Sequence, residues 1–426
     1  MGVLRRNLII LISLLLSRSA FAQEISGMGS IVQRAMDYQA LERVESLRQE
    51  SAIARLDSSN RLVAGNPSFT LSQKSDRWNK NLGEQEDTVG VSLPLWRWGE
   101  RQAATTVAAS ELVAVQAESL AAKNLLAGNV RDSVWGYIRE HLRQQTLEKQ
   151  IDEAEKTELD ARRRFEAGDL AKVDWLNAKV ALQGISAEIA EQNNRINKAE
   201  QQLIALTGLT GSQLGFGPRE RYADTLIGKL AEQPPRYDER DLALSTSADH
   251  QLLSTRVKRS QDRLRLAQER GSGSPELSIG SSRSRGLSGD PFARTVTLSI
   301  SIPFGGGSQA RSDVAQITAD LVRDEQDLQR FQKTFAFIWE RGLAQIQEKQ
   351  RASKLAVQRS LDADSIRSAL VKAAEAGEVE YLERLRAERQ AFEAQIAAIE
   401  ADVDYQQTVS RFLQSIGRLP NGVNSK

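Results

Sequence analysis

The sequence predicts a mainly α-helical fold with a small β part, built from long antiparallel helical hairpins and four short strands, and three observations lead there. First, TVGVSLPLWRWGERQAA (residues 88–104) recurs as TLSISIPFGGGSQARSD (297–313), and RFEAGDLAKVDWLNA has its counterpart in AEAGEVEYLERLRA. Both pairs are offset by 209 positions, Pro94 to Pro303 and Gly168 to Gly377, so the chain carries an internal two-fold repeat. Second, each copy has proline-free stretches of helical composition far longer than an average helix. Third, each copy has two short runs with the alternation of strands. A unit this thin cannot bury its own apolar faces and must stack against copies of itself, as in the wall of a tube.

The chain opens with Arg5 and Arg6, an apolar run from Leu8 to Leu16 and Ala20-Phe21-Ala22. This is the pattern of a signal peptide over residues 1–22, with the mature protein starting near Gln23. No later stretch approaches the roughly 18–20 uninterrupted apolar residues of a spanning helix. There is no cysteine among the 426 residues, which excludes disulfides, thiolate metal sites and a lipid-bearing N-terminal cysteine. The 57 basic and 56 acidic residues leave a net charge of +1, too little for a nucleic-acid field. A mean hydropathy of −0.43 excludes a helical membrane protein but not a membrane β-barrel, whose strands turn every second residue toward a polar interior.

The first repeat occupies residues 23–207. From Gly27 to Leu62 the composition predicts one helix of about 35 residues, stopped by Gly65-Asn66-Pro67. A β-hairpin is predicted over 67–96: SFTLS alternates, a polar loop holds Asn79, Asn81 and Gly83, and Val89, Val91, Leu93 and Leu95 then share one face. From Glu100 to Phe165 the composition is helical throughout, about 100 Å of helix. A tip turn falls near Gly168. The next helix, to Leu206, spaces Leu182, Ile185, Ile189, Ile196, Leu203 and Leu206 for close antiparallel packing.

Glycines and prolines mark residues 208–237 as a linker, an equatorial region if each copy stacks two shorter helices end to end beside one long one. The second repeat, 238–417, restarts the order. It predicts a helix from Asp238 to Arg270, a hairpin over 275–304 with Val296, Leu298, Ile300, Ile302 and Phe304 on one face, a long helix from Ser308, a tip turn near Gly377 and a helix to Ile416. Residues 418–426 form a tail.

Strands of this length and alternation fit an outer-type membrane barrel, with Trp96 and Trp98 at the level of an interfacial aromatic belt. A single hairpin alone reads more readily as a soluble two-stranded ribbon packed on a helix. Two hairpins at equivalent ends of long helical pairs in an exported chain favour the membrane. Four strands cannot close a barrel, which needs about eight, so several chains must contribute.

Catalysis finds little support. The two histidines, His141 and His250, stand in charged helical surroundings and are expected at the surface. Gly305-Gly306-Gly307 lacks the G-K-(S/T) ending of a phosphate loop and is expected to be a strand-to-helix turn. No enzyme activity, cofactor or metal site is expected.

The N-P-x-(F/L)-x-(L/I) strand start, the V-S-L-P-L and I-S-I-P-F exit strands and the two A-G-(D/E) tips, in doubled order, resemble the outer membrane efflux protein family, the TolC-like outer membrane factors. The resemblance covers essentially the whole mature chain. It implies a homotrimer with a 12-stranded transmembrane β-barrel in the outer membrane of a Gram-negative bacterium, continued by a 12-helix α-barrel tunnel across the periplasm. It also implies a channel in a tripartite efflux system, fed by a periplasmic adaptor and an inner-membrane pump of the RND or ABC type. Val89, Val91, Leu93, Leu95, Val296, Leu298, Ile300, Ile302 and Phe304 would then face outer membrane lipid. Carried over by position, Asp174 and Glu383 would ring the periplasmic entrance, and the tips Gly168, Asp169, Leu170, Gly377, Glu378 and Val379 would dock the adaptor. Phe165 stands where family members often carry a latching aromatic, without a hydroxyl, and Ala374 lacks the ring; Arg386 is the expected substitute partner for a carboxylate. The compact length and Gly65-Asn66-Pro67 lean toward the heavy-metal-efflux branch. The competing expectation is a periplasmic coiled-coil scaffold or adaptor without a membrane barrel.

Overall fold

The computed structural model describes residues 27–214, 223–271, 273–305 and 307–423; the signal-peptide expectation and Gly306 lie outside them. In order, the elements are α1 (Met28–Tyr38), α2 (Leu41–Ser59), β1 (Ser68–Ser75), β2 (Gln85–Pro94), α3 (Glu100–Glu166), α4 (Lys172–Thr207), α5 (Ala223–Leu230), α6 (Arg240–Thr246), α7 (Ala248–Arg270), β3 (Glu276–Arg285), β4 (Ala293–Ser301), α8 (Gly307–Glu375) and α9 (Tyr381–Ser415). Among the described residues no helix is long and apolar enough to cross a membrane.

The long helices α3 and α8 run unbroken for 67 and 69 residues, roughly 100 Å each. Along α3 lie α1 and α2 toward one end and α4 toward the other; along α8 lie α7 and α9 in the same way. Because α3 also packs on α7 and α9, the helices form a layer of four rods: α1–α2–α4, then α3, then α7–α9, then α8. The strands repeat that order in one antiparallel sheet, β1-β2-β3-β4. Both layers are open at their edges.

Two of the predicted helices are divided. The expected helix over 27–62 breaks at Gln39-Ala40, where Ala40 takes the left-handed conformation at φ 51°. No glycine or proline announces this break. Its cause is tertiary: Tyr38 packs on Gly208, and the Gln39 amide donates to the carbonyls of Ala205 and Leu206 at the end of α4. The expected helix from 238 is likewise broken at Ser247, whose extended backbone separates α6 from α7.

The main core sits near the middle of α3. Val130, Val134, Trp135 and Ile138 pack there against Met28, Ile31, Val32 and Met36 of α1, with Leu203 and Leu230. Arg131, 1% exposed, is held at this level by a bidentate pair with Glu232 (2.9 and 2.6 Å), by Gln414 Oε1 and by the Arg418 carbonyl, both at 2.9 Å. Ser410 donates to Glu232 and accepts from Trp135 Nε1. A buried guanidinium is tolerated only with such complete pairing, and here the pairing ties the segment after α5 to both repeats. A second core joins α8 to α9 through Phe335, Trp339, Phe412 and Leu413. His141 is half-buried rather than at the surface, stacked on Tyr137 with ring centroids 5.9 Å apart.

Candidate functional site: the open sheet and the helix tips

The register of the sheet aligns its apolar residues in rows. Phe69, Val91, Ile279 and Leu298 stand side by side across the four strands, and Leu93, Leu277 and Ile300 form the next row. Leu71, Val89, Ser281 and Val296 form another. A side-chain period of 2 puts all of these on one face. Among the described residues nothing covers that face: Phe69, Leu71, Val296, Leu298 and Ile300 are each more than 60% exposed. Ile302 and Phe304 continue it beyond β4, while Leu93 and Leu95 are half-buried, Leu95 bridging to Val63.

The opposite face is small and polar. Thr70, Gly90, Gly280 and Thr297 form one row, and Ser92 and Ser278 share a hydrogen bond of 2.8 Å in the next. Both edge strands have unpaired backbone along their outer sides, which a stable protein must cover or pair. At the hairpin tips, Asp76 caps the first loop by accepting from the amides of Leu82 (2.6 Å) and Gly83 (3.2 Å), and the Ser288 amide donates to the Leu82 carbonyl, joining the two loops.

Where strands meet helices, Glu100 in the first turn of α3 is 1% exposed. It accepts from Arg270 Nε at 3.0 Å, from the Ser274 hydroxyl and from the Arg97 amide. This carboxylate binds the α7–β3 connection of one repeat to the helix start of the other. Trp98, 99% exposed, projects beside it.

At the far end of the rods the two tips are built alike. Gly168 and Gly377 both have positive φ (84° and 76°). The Asp169 amide donates back to the Arg164 carbonyl, and the Glu378 amide to the Ala373 carbonyl. These are Schellman caps, which require a left-handed residue and therefore favour glycine. No atom lies within 4 Å of where a Cβ would sit on either, so conformation alone selects glycine there. Gly168, Asp169, Gly377 and Glu378 are exposed, and Leu170 and Val379 are half-buried.

Asp174 and Glu383 lie in the first turns of α4 and α9, where their charge also complements the helix dipole. Glu383 is exposed and Asp174 half-buried. Phe165 stacks on Trp175 with centroids 5.3 Å apart, and Trp175 Nε1 donates to Glu158. Arg386 is exposed at the edge of a cleft of about 990 Å³ between α4 and α9. The arginine that bridges at this level is Arg384, which pairs with Glu388 at 2.9 Å and Asp160 at 3.8 Å and donates to Thr157 Oγ1 at 3.4 Å. Beside it the buried Tyr381 hydroxyl donates to the Thr157 carbonyl at 2.8 Å. Burial pushes the Tyr381 phenol well above its ordinary value. Tyr381, Arg384 and Thr157 were not singled out in the sequence; the one available signal was a tyrosine four residues past the second tip glycine.

Comparison with known proteins bears on both ends. Residues 39–209 match the model of the outer membrane efflux protein family. No curated protein is significantly similar in sequence. Among solved structures, the Campylobacter jejuni CmeC outer membrane channel is similar at 14% identity and a TM-score of 0.70, over 93% of this chain and 87% of that one. CusC aligns at 16% identity and a TM-score of 0.72 over 92% of each chain. The open state of the Neisseria gonorrhoeae MtrE outer membrane channel aligns at 15% and 0.69, over 92% and 89%. The first repeat thus carries the sequence pattern of the outer membrane efflux proteins, and the described chain as a whole has the fold of their TolC-like channels.

Proposed function

We propose that this protein is the outer-membrane channel of a tripartite efflux system, in which three chains close a 12-stranded barrel over a 12-rod helical tunnel. The observation that carries the reading is the sheet: four strands with two unpaired edges, one bare apolar face and one small polar face. Leaving such side chains in water forgoes roughly 1.5–3 kcal/mol each, and lipid on the apolar face with chains on both edges removes that cost. β2 and β3, ten residues each, have the length of a tilted transmembrane strand. The helical layer ends in the same way, with Leu47 and Ile53 exposed on α2 and Phe337, Leu355 and Leu361 on α8, at the edges where neighbouring chains would join.

In this assembly the chain does no chemistry. Asp174 and Glu383 would form rings of carboxylate at the periplasmic entrance and favour cations. The capped turns at Gly168–Leu170 and Gly377–Val379 would meet a periplasmic adaptor, itself bound to an inner-membrane pump. Support comes from the family match over 39–209 and from the shared fold of CmeC and MtrE, both outer membrane channels. Membrane fractionation with planar-bilayer recording tests the reading. The expected result is a detergent-extracted trimer in the outer membrane fraction that conducts ions; a monomer in the osmotic-shock fluid would replace it with a periplasmic scaffold.

A further inference from the structure

The apolar face of the sheet ends in a cluster of arginines. Along β4 and the three residues that follow it, the alternation from Phe304 to Val296 covers about 27 Å of extended chain, or roughly 21 Å of height at a 40° tilt, close to the apolar band of a membrane barrel. The next residue on that face toward the hairpin tip is Arg294. It stands directly opposite Arg283 on β3, and Arg285 follows on the same face.

Like charges in direct cross-strand register repel, so Arg283 and Arg294 call for an anion between them. The carboxylate in register is Asp87 on β2, opposite Arg283, and it accepts from the Gln85 amide. Among the described residues no ion pair is formed by Arg283, Arg285 or Arg294. The first two are nonetheless held in place: their guanidiniums lie 3.7 and 4.9 Å from the centre of the Phe292 ring. Arg285 Nε donates to the Gly83 carbonyl at 3.2 Å, which leaves its terminal amino groups free to bind. Guanidiniums fixed on an aromatic ring offer the planar, bidentate donors that suit phosphate.

We infer that Arg283, Arg285 and Arg294 form a binding site for the phosphate groups of an anionic lipid headgroup in the leaflet at the hairpin tips. The inference rests on the proposed channel reading, which turns this face toward lipid. Arg283 and Arg294 stand one row beyond the apolar band and Arg285 two, at headgroup height. Bound phosphate there would relieve the Arg283–Arg294 repulsion and anchor the rim of the barrel.

Native mass spectrometry of the detergent-extracted full-length protein tests this, with diphosphorylated lipid A, zwitterionic phosphatidylcholine and inorganic phosphate as the molecules offered. The expected result is selective retention of lipid A, weakened at least about tenfold in the R283Q/R294Q double variant and weakened less in R283K/R294K, which keeps the charge but loses the planar, bidentate donors. Equal retention by the wild type and the glutamine variant overturns the inference, as does retention of phosphatidylcholine as strong as that of lipid A. Displacement of lipid A by millimolar inorganic phosphate overturns its lipid part. Mobility of the unheated trimer on a gel shows whether each variant assembles; if the double variant does not, R294Q alone is read in the same assay. A wild type absent from the outer membrane fraction refutes the channel itself, whereas a membrane-inserted trimer without phosphate preference refutes only this site.

Discussion

The Tyr381 hydroxyl donates to the Thr157 carbonyl across 2.8 Å, fastening the start of α9 to the last turns of α3, while Arg384 from the next helical turn holds the Thr157 hydroxyl, Glu388 and Asp160. The two hairpins of one chain are thereby joined just above their tips. Phe165, at the position where family members often carry a latching aromatic, stacks on Trp175 within its own hairpin.

If the entrance widens by separating these hairpins, Tyr381→Phe should ease the separation, because it keeps the ring and removes one bond of about 1 kcal/mol. The expected outcome is a higher open probability in single-channel recording, with a larger effect when Arg384→Ala is added. Identical gating in the double variant would show that the contact plays no part in opening.

The two faces of the sheet should respond oppositely to charge. Ile300→Arg sets a guanidinium among Leu277, Leu298 and Ile302 and should cost about 2–4 kcal/mol in a bilayer. It is expected to abolish trimer assembly in the outer membrane. Ser299→Arg, one residue away on the polar face, should assemble normally and change conductance. Equal assembly of both variants would contradict a lipid-facing apolar side.

Gly342 lies inside α8, where helix propensity alone disfavours it. A Cβ there would sit 2.1 Å from the Phe412 ring of α9. Gly342→Ala should therefore destabilise by about 1–3 kcal/mol despite the better helix former, by forcing α8 and α9 apart at their aromatic core. A thermal melt reads this directly, and an unchanged or raised melting temperature would refute the packing.

Burial holds the His141 imidazole below its ordinary value of 6.5, against the opposing pull of Glu148 and Glu200. Between its native and unfolded values the unfolded chain binds a proton that the native chain resists, so stability rises with pH through that window. Acidification from about pH 7 to pH 5 should lower denaturant stability in the wild type. His141→Gln should flatten that part of the profile, and an unaltered slope would assign the acid sensitivity to other groups.

Much of this protein was legible in the chain because it is local. Alternation at Val89–Leu95 and Val296–Ile302 defines strands whatever surrounds them, and long runs without proline define α3 and α8. Gly168 and Gly377 mark helix ends because a left-handed cap needs no partner. What depends on residues far apart in sequence was decided only by the tertiary structure. The pairing of β2 with β3, the seat of Arg131 against Glu232, the break at Ala40 and the choice of Arg384 over Arg386 each follow from which surfaces meet. Periodicity reports which face a side chain takes, but a bond between Tyr381 and Thr157 depends on how far one rod has slid along another, and that is set by packing over the whole length of both.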